Sequence, residues 1–229
     1  MVKAKVKICG ITNWRDAHQA AEEGAQFLGF NFYARSPRYI APAKARRIVR
    51  RLPRGISAVG VFVNETARRM AEIARVAGLS WVQLHGEETS ATLARLKRSL
   101  PAVKIIKAVR VGKSFRPAQL ARFKQADAIL LDGFDSKRRG GTGKTFDWSL
   151  ARRAKRATDH GRILLAGGLT PDNIAEAIRI ARPFAVDVCS GVEAKPGKKD
   201  PARLKALLRA ANGTRSGGTR PKNIKEAAR

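Results

Sequence analysis

Short apolar runs alternate with longer amphipathic stretches along almost the whole chain, and that alternation leaves few folds open. The runs occupy residues 6–9, 27–32, 57–63, 81–85, 104–109, 128–132, 163–166 and 185–189. They are short and rich in Val, Ile, Leu and Phe, as strands covered on both faces of a parallel sheet are. Helix-like stretches lie between them, at about 14–24, 42–52, 65–77, 88–99, 116–125, 148–159, 172–182 and 200–211. Several open on residues that start helices: Asn64 with Glu65, Pro117, Asp147 and Thr170-Pro171-Asp172. Gly24 and Gly78 close two of them.

Eight strand-then-helix units at roughly 25-residue spacing fit a closed (β/α)8 barrel near the lower end of its usual length. An open doubly wound sheet is the competing α/β arrangement. It rarely needs eight regular units, and the glycine-rich dinucleotide fingerprint is missing after the first run. A single catalytic barrel over 1–211 is therefore expected. Residues 212–229 hold almost nothing apolar and are dominated by Gly, Arg, Lys, Thr and Ser. Such a segment buries too little surface to offset its ordering entropy, so it reads as a disordered basic tail.

Composition narrows the function classes. No apolar run reaches the roughly 18 residues of a membrane span, and no signal peptide is apparent, so a cytoplasmic protein is expected. The two cysteines, Cys9 and Cys189, lack CxxC spacing, and neither a zinc site nor a disulfide is expected. Lys and Arg number 47 against 18 Asp and Glu, for a net charge of +29. That balance attracts anions. Clusters such as Lys44-Ala45-Arg46-Arg47 and 152–156 fall on helix-like stretches and read as solvated faces. The tail has no aromatic residue for stacking bases, so no specific nucleic-acid partner is expected. Non-specific electrostatic binding at low salt should fade steeply as salt rises.

In a barrel of this kind the chemistry lies at the C-terminal ends of the strands. Read in order, those ends hold Cys9, Asn31 or Tyr33 with Arg35 and Arg38, Asn64, His85, Arg110, Asp132, Gly167-Gly168 and Ser190-Gly191. The two glycine turns follow strands 7 and 8, where barrels often bind phosphate, and glycine lets backbone N–H groups come close to its oxygens. The 140–145 stretch, Gly140-Gly141-Thr142-Gly143-Lys144-Thr145, only resembles a P-loop, because the glycine that motif needs five residues before Gly143 is Arg138. It reads as a flexible loop able to fold over a ligand.

A thiolate can act as a base and a carboxylic acid as its partner acid, so Cys9 and Asp132 facing each other across the mouth make an acid–base pair. Taken alone, Cys9 would read as a small buried hydrophobe and Asp132 as a cap or ion-pair member. Basic surroundings would favour the Cys9 thiolate, whereas nearby arginines would oppose a protonated Asp132. Cys189, just before the second glycine turn, reads as a packing residue. Arg38, in Ser36-Pro37-Arg38-Tyr39, could hold a substrate carboxylate bidentately, or be an ordinary surface arginine. His85 could orient a ligand or merely fill the site. His18 and His160 fall in helical stretches and should be exposed.

These residues sit inside longer motifs: Lys7-Ile8-Cys9-Gly10-Ile11-Thr12, Phe30-Asn31-Phe32-Tyr33, Gly60-Val61-Phe62-Val63, Val82-Gln83-Leu84-His85-Gly86, Leu131-Asp132, the stretch 140–148, Leu165-Ala166-Gly167-Gly168-Leu169, Ser190-Gly191-Val192-Glu193 and Pro196-Gly197-Lys198-Lys199-Asp200. Together they resemble the phosphoribosylanthranilate isomerase family of tryptophan biosynthesis, from Lys5 to about Leu208. The chain departs from the family in its basicity, its tail beyond Ala211, and Cys189, where a serine is expected. The resemblance implies an Amadori rearrangement of N-(5'-phosphoribosyl)anthranilate, with Cys9 as general base and Asp132 as general acid. It implies that Arg38 holds the anthranilate carboxylate, and that Gly167, Gly168, Ser190 and Gly191 hold the phosphate. His85 is counted among the substrate-binding residues. No metal or redox cofactor is implied, because the reaction moves a proton between two carbons. The expected partner is a small phosphorylated substrate, on a monomer or homodimer, with no membrane. The related barrel isomerase of histidine biosynthesis is a poorer match, since it would carry an aspartate where Cys9 stands. A nucleic-acid binder or a non-catalytic phosphate binder would leave Cys9 with Asp132 unexplained.

Overall fold

The structure is a computed structural model, and it describes residues 4–112, 114–133, 147–157 and 161–213. Eight parallel strands close into a barrel: β1 Lys5–Ile8, β2 Phe27–Asn31, β3 Ser57–Phe62, β4 Trp81–Leu84, β5 Lys104–Arg110, β6 Ala128–Asp132, β7 Ile163–Ala166 and β8 Ala185–Val188. Closure comes from β1 pairing with β8, Ile8 opposite Val188. The helices are α1 Trp14–Glu22, α2 Pro42–Val49, α3 Ala67–Ala77, α4 Ser90–Ser99, α5 Ser149–Ala157, α6 Ile174–Ala181 and α7 Pro201–Asn212. The barrel that the sequence pattern implies is thus the fold observed.

Alternate residues of each strand face the barrel interior. Phe27, Val59, Trp81, Ile106, Ala108, Ala128, Leu130, Leu164, Ala166 and Ala185 form one buried cluster there. Ile8, Leu28, Val82, Leu84, Ile105, Leu131 and Val186 belong to the second, larger cluster, which includes the helices. In the interior, β1 contributes Lys7 and β8 contributes Asp187, both buried and joined Nζ to Oδ1 at 2.8 Å. Gly29 on β2 makes their room: a Cβ there would lie 3.1 Å from Lys7 Nζ and 2.8 Å from Cys9 Sγ.

The helix boundaries shift where side chains find better uses. α3 is capped by Thr66, whose hydroxyl accepts from Arg69 N, and not by Asn64 or Glu65. Asn64 is instead left-handed, with φ 52°, and its Oδ1 accepts from Glu87 N. The fifth connection is a 3-10 helix, Pro117–Phe123, where an α-helix was expected. Its buried residues, Leu120 and Phe123, are three apart, a spacing that a three-residue turn aligns on one side. Thr170-Pro171-Asp172 forms a turn ahead of α6. After β8 a short hairpin unseen in the sequence pattern, β9 Glu193–Lys195 and β10 Lys198–Lys199, folds back toward the barrel mouth. α7 ends one residue past the expected boundary at 211, and Gly213 is the last residue described.

Along α5, Ala151 and Ala154 are buried while Arg152, Arg153, Lys155 and Arg156 are exposed, so this basic cluster is a solvated face. No helix among the described residues is long and apolar enough to cross a membrane.

Candidate active site

Cys9 follows β1 directly, at the barrel mouth, and its N–H donates to Val188 O at 2.8 Å. The neighbouring Cys189 thiol outweighs burial in holding Cys9 well below the usual thiol range. Lys7 and Lys199 add their positive charge. Cys189 moves the opposite way: the adjacent Cys9 sulfur, and burial, push its thiol well above the ordinary range. Cys189 is therefore not the packing residue the sequence suggests. It is half-buried, and its thiol lies 3.8 Å from Glu193 Oε1 as well as beside Cys9.

The interior ion pair sits directly beneath. Burial opposes the charge on Lys7, yet the carboxylate of Asp187 and the Cys9 sulfur outweigh it and keep the ammonium protonated. Burial pushes Asp187 up to about 6 despite the pull of Lys7. Lys199, from β10, is buried on the other side. Its ammonium donates to the carbonyls of Cys9 and Cys189 and to Glu193 Oε1 at 3.1 Å. The sequence hides both lysines, one inside a strand run and the other in a charged stretch.

Asp132 ends β6 and Arg110 ends β5, paired in register. The group bonded to the Asp132 carboxyl is an imidazole: His85 Nε2 lies 3.2 Å from Oδ2. Gln83, inward-facing on β4, presents its amide nitrogen 2.8 Å from His85 Nδ1. An amide N–H only donates, so Nδ1 accepts and Nε2 carries the proton directed at Asp132. Gln83 Oε1 is buried with no partner among the described residues. With the amide turned over, Oε1 would accept from Nδ1–H, and Nε2 would accept a proton shared with Asp132. Gln83 thus couples to where the Asp132 proton resides. Its position in a strand run concealed it.

Arg38 is positioned by Glu193. Nε lies 3.0 and 3.1 Å from the two carboxylate oxygens, and Nη2 lies 2.6 Å from Oε2. Burial raises the Glu193 carboxyl, but Arg38 and Lys199 outweigh it and hold it below the usual range. The loop is shaped by Asn31, whose Nδ2 donates to Ser36 Oγ, which in turn accepts from Arg38 N. One edge of the guanidinium is committed to Glu193, and Nη1 remains for a ligand among the described residues.

The two glycine turns meet at the far side of the mouth. Gly167 and Gly168 have φ of 96° and 64°, where L side chains are strained. A Cβ on Gly191 would collide with the Leu169 carbonyl. Among the described residues, no acceptor takes the N–H groups of Gly168, Ser190 or Gly191. That leaves three backbone donors for an anion.

A cavity of about 360 Å³ opens on the β4–β6 side, lined by His85, Lys107, Arg110, Arg122 and Asp132 among others. It stops short of Cys9. At its wall Lys107 and Glu88, both buried, pair at 2.9 Å, and Glu88 also accepts from Asn64 N and Gly86 N. His18 is exposed, as expected, and lies 3.3 Å from Glu22. His160, the 140–145 loop and nearly all of the 212–229 tail lie outside the described residues.

The sequence model of the family described as N-(5'phosphoribosyl)anthranilate (PRA) isomerase matches residues 6–210. The N-(5'-phosphoribosyl)anthranilate isomerase of Citrifermentans bemidjiense is 48% identical over 204 residues, 89% of this chain and 95% of that protein. The crystal structure of the Thermotoga maritima enzyme superposes with a TM-score of 0.82 at 43% identity, over 92% of this chain and 100% of that one. A structure of such an enzyme in complex with reduced 1-(o-carboxyphenylamino)-1-deoxyribulose 5-phosphate gives a TM-score of 0.80 at 41% identity, over the same shares.

Proposed function

The chain belongs to the N-(5'-phosphoribosyl)anthranilate isomerase family, and we propose that in its reaction Cys9 is the general base and Asp132 the general acid. The reaction is an Amadori rearrangement of tryptophan biosynthesis, from an aminoaldose to a 1-deoxy-ketose. Asp132 protonates the furanose ring oxygen and the ring opens to a Schiff base. The Cys9 thiolate then takes the C2' proton. The enolamine so formed tautomerises to 1-(2-carboxyphenylamino)-1-deoxyribulose 5-phosphate. In sum one proton passes from C2' to C1' and one from the 2'-hydroxyl to the former ring oxygen, so no electrons are exchanged with the protein.

The observation that carries this reading is the setting of Cys9 at the barrel mouth, beside Cys189 and two buried ammonium groups, Lys7 and Lys199, which together hold its thiol below the usual range. Packing alone has no use for that arrangement. Once Asp132 has given up its proton, the His85 Nε2–H stands ready to stabilise the carboxylate. Arg38, steadied by Glu193, offers Nη1 to the anthranilate carboxylate. The free N–H groups of Gly168, Ser190 and Gly191 suit the phosphate.

The test is turnover of freshly made phosphoribosylanthranilate, followed by loss of anthranilate fluorescence. Cys9→Ala and Asp132→Ala should each lower kcat by about a hundred- to ten-thousand-fold. Activity surviving Cys9→Ala would move the base elsewhere, and a folded wild type without turnover would overturn the assignment.

A further inference from the structure

We propose that Cys9 and Cys189 form a reversible intramolecular disulfide, which makes the site a point of oxidative modification as well as of catalysis. The covalent part of this inference stands on geometry alone; its effect on activity rests on Cys9 being the base.

Ile8 and Val188 are register partners on adjacent parallel strands, so Cys9 and Cys189 are the next residues on each. The Cys9 N–H bond to Val188 O, 2.8 Å, carries that pairing past the strand ends. Neighbouring strands lie about 4.8 Å apart, inside the roughly 4.4–6.8 Å Cα separation that disulfides span. Continuing that register on parallel strands, the two residues carry their side chains on the same face. A Cβ on Gly29 would lie 2.8 Å from Cys9 Sγ, and one on Gly10 would lie 3.1 Å from Cys189 Sγ. The glycines at 10 and 29 thus leave room for the two sulfurs. Both thiols are free. They are also the only two cysteines in the chain.

The chemistry balances with a peroxide as oxidant. The Cys9 thiolate, kept charged beside Lys7 and Lys199, attacks the peroxide. The O–O bond breaks, Cys9 becomes a sulfenic acid, and hydroxide leaves to take a proton from solvent. Cys189 sulfur then attacks the sulfenic sulfur. The S–S bond forms and water departs with the sulfenic oxygen and the Cys189 proton. Two electrons pass from the two sulfurs to one peroxide, giving two waters. A dithiol reverses the modification by exchange. Without a resolving thiol the sulfenic acid would proceed to the sulfinic and sulfonic acids, from which a dithiol brings nothing back. Cys189 therefore protects the base by trapping it in a recoverable form.

The full chain is treated with graded hydrogen peroxide, alkylated under denaturing conditions, and read by intact mass, peptide mapping and isomerase rate, each variant against its own untreated rate. The wild type should lose about 2 Da and both alkylatable thiols together, with the Cys9 and Cys189 peptides linked. Activity should fall in step and return with dithiothreitol. Cys189→Ser should gain about 32 or 48 Da on Cys9 and stay inactive after dithiothreitol. Wild type that gains oxygen without the 2 Da loss, or links only between chains, overturns the proposal. A clean 2 Da loss with unchanged activity would uphold the disulfide and refute Cys9 as the base.

Discussion

Replacing Lys7 by Met removes one half of an ion pair whose side chains are 0% and 8% exposed and whose charged atoms lie 2.8 Å apart. Removing one partner of such a pair costs about 3–5 kcal/mol, because the other charge is left buried without compensation. At this chain length a kcal/mol moves Tm by about 2–4 °C, so a loss of roughly 6–20 °C is expected at pH 8. The deficit should depend on pH. Asp187 already titrates near 6 with Lys7 beside it, and losing the ammonium raises it further. A carboxyl whose folded pKa lies above its unfolded value burdens the fold little at acidic pH and more as pH rises through the folded pKa. The gap between Lys7→Met and wild type should therefore be small near pH 5 and full by pH 8. The double variant Lys7→Met, Asp187→Leu should recover most of the stability, since two apolar chains of similar size replace both charges. Thermal unfolding by circular dichroism across that range measures all three proteins. A single variant as stable as wild type at pH 8, or a gap equal at pH 5 and pH 8, would refute the reasoning and mean that water reaches Asp187.

Four further outcomes follow from the same geometry. Alkylation of Cys9 by iodoacetamide, assigned by peptide mass, should rise less steeply from pH 7 to 9 than that of an ordinary thiol, since the Cys9 thiol is held below the usual range; a rate climbing tenfold per pH unit there would contradict that lowering. Gln83→Leu frees the His85 tautomer and should lower kcat about tenfold with little change in KM; an unchanged kcat would remove Gln83 from the site. Gly191→Ala forces the turn at 190–191 off the Leu169 carbonyl; if that turn holds the phosphate as proposed, KM and the inhibition constant of inorganic phosphate should rise together, measured in the steady state. Glu193→Leu leaves the buried Lys199 without its carboxylate and should lower stability by about 3 kcal/mol in urea unfolding while raising KM through a mispositioned Arg38.

Sequence alone determined the architecture and the membership of the rim. The two periodicities, short apolar runs and longer amphipathic stretches, record which local faces are buried, and eight repeats of them specify a barrel. They also bring Cys9, His85, Asp132 and the two glycine turns to the strand ends, because in this fold a strand end is a place in the site. What tertiary structure alone decided is how those groups are charged and held. Lys7 and Asp187 are 180 residues apart, and Lys199 and Cys9 190, and each pair meets only because β1 closes against β8. Lys7 and Gln83 sit inside strand runs, where a polar residue looks like a solvated interruption, although the barrel interior buries each and supplies its partner, and Lys107, on the outer face of β5, is buried against Glu88. Cys189 looked like packing for the same reason. A thiol's environment depends on which strand lies beside it, and local periodicity carries no record of that neighbour.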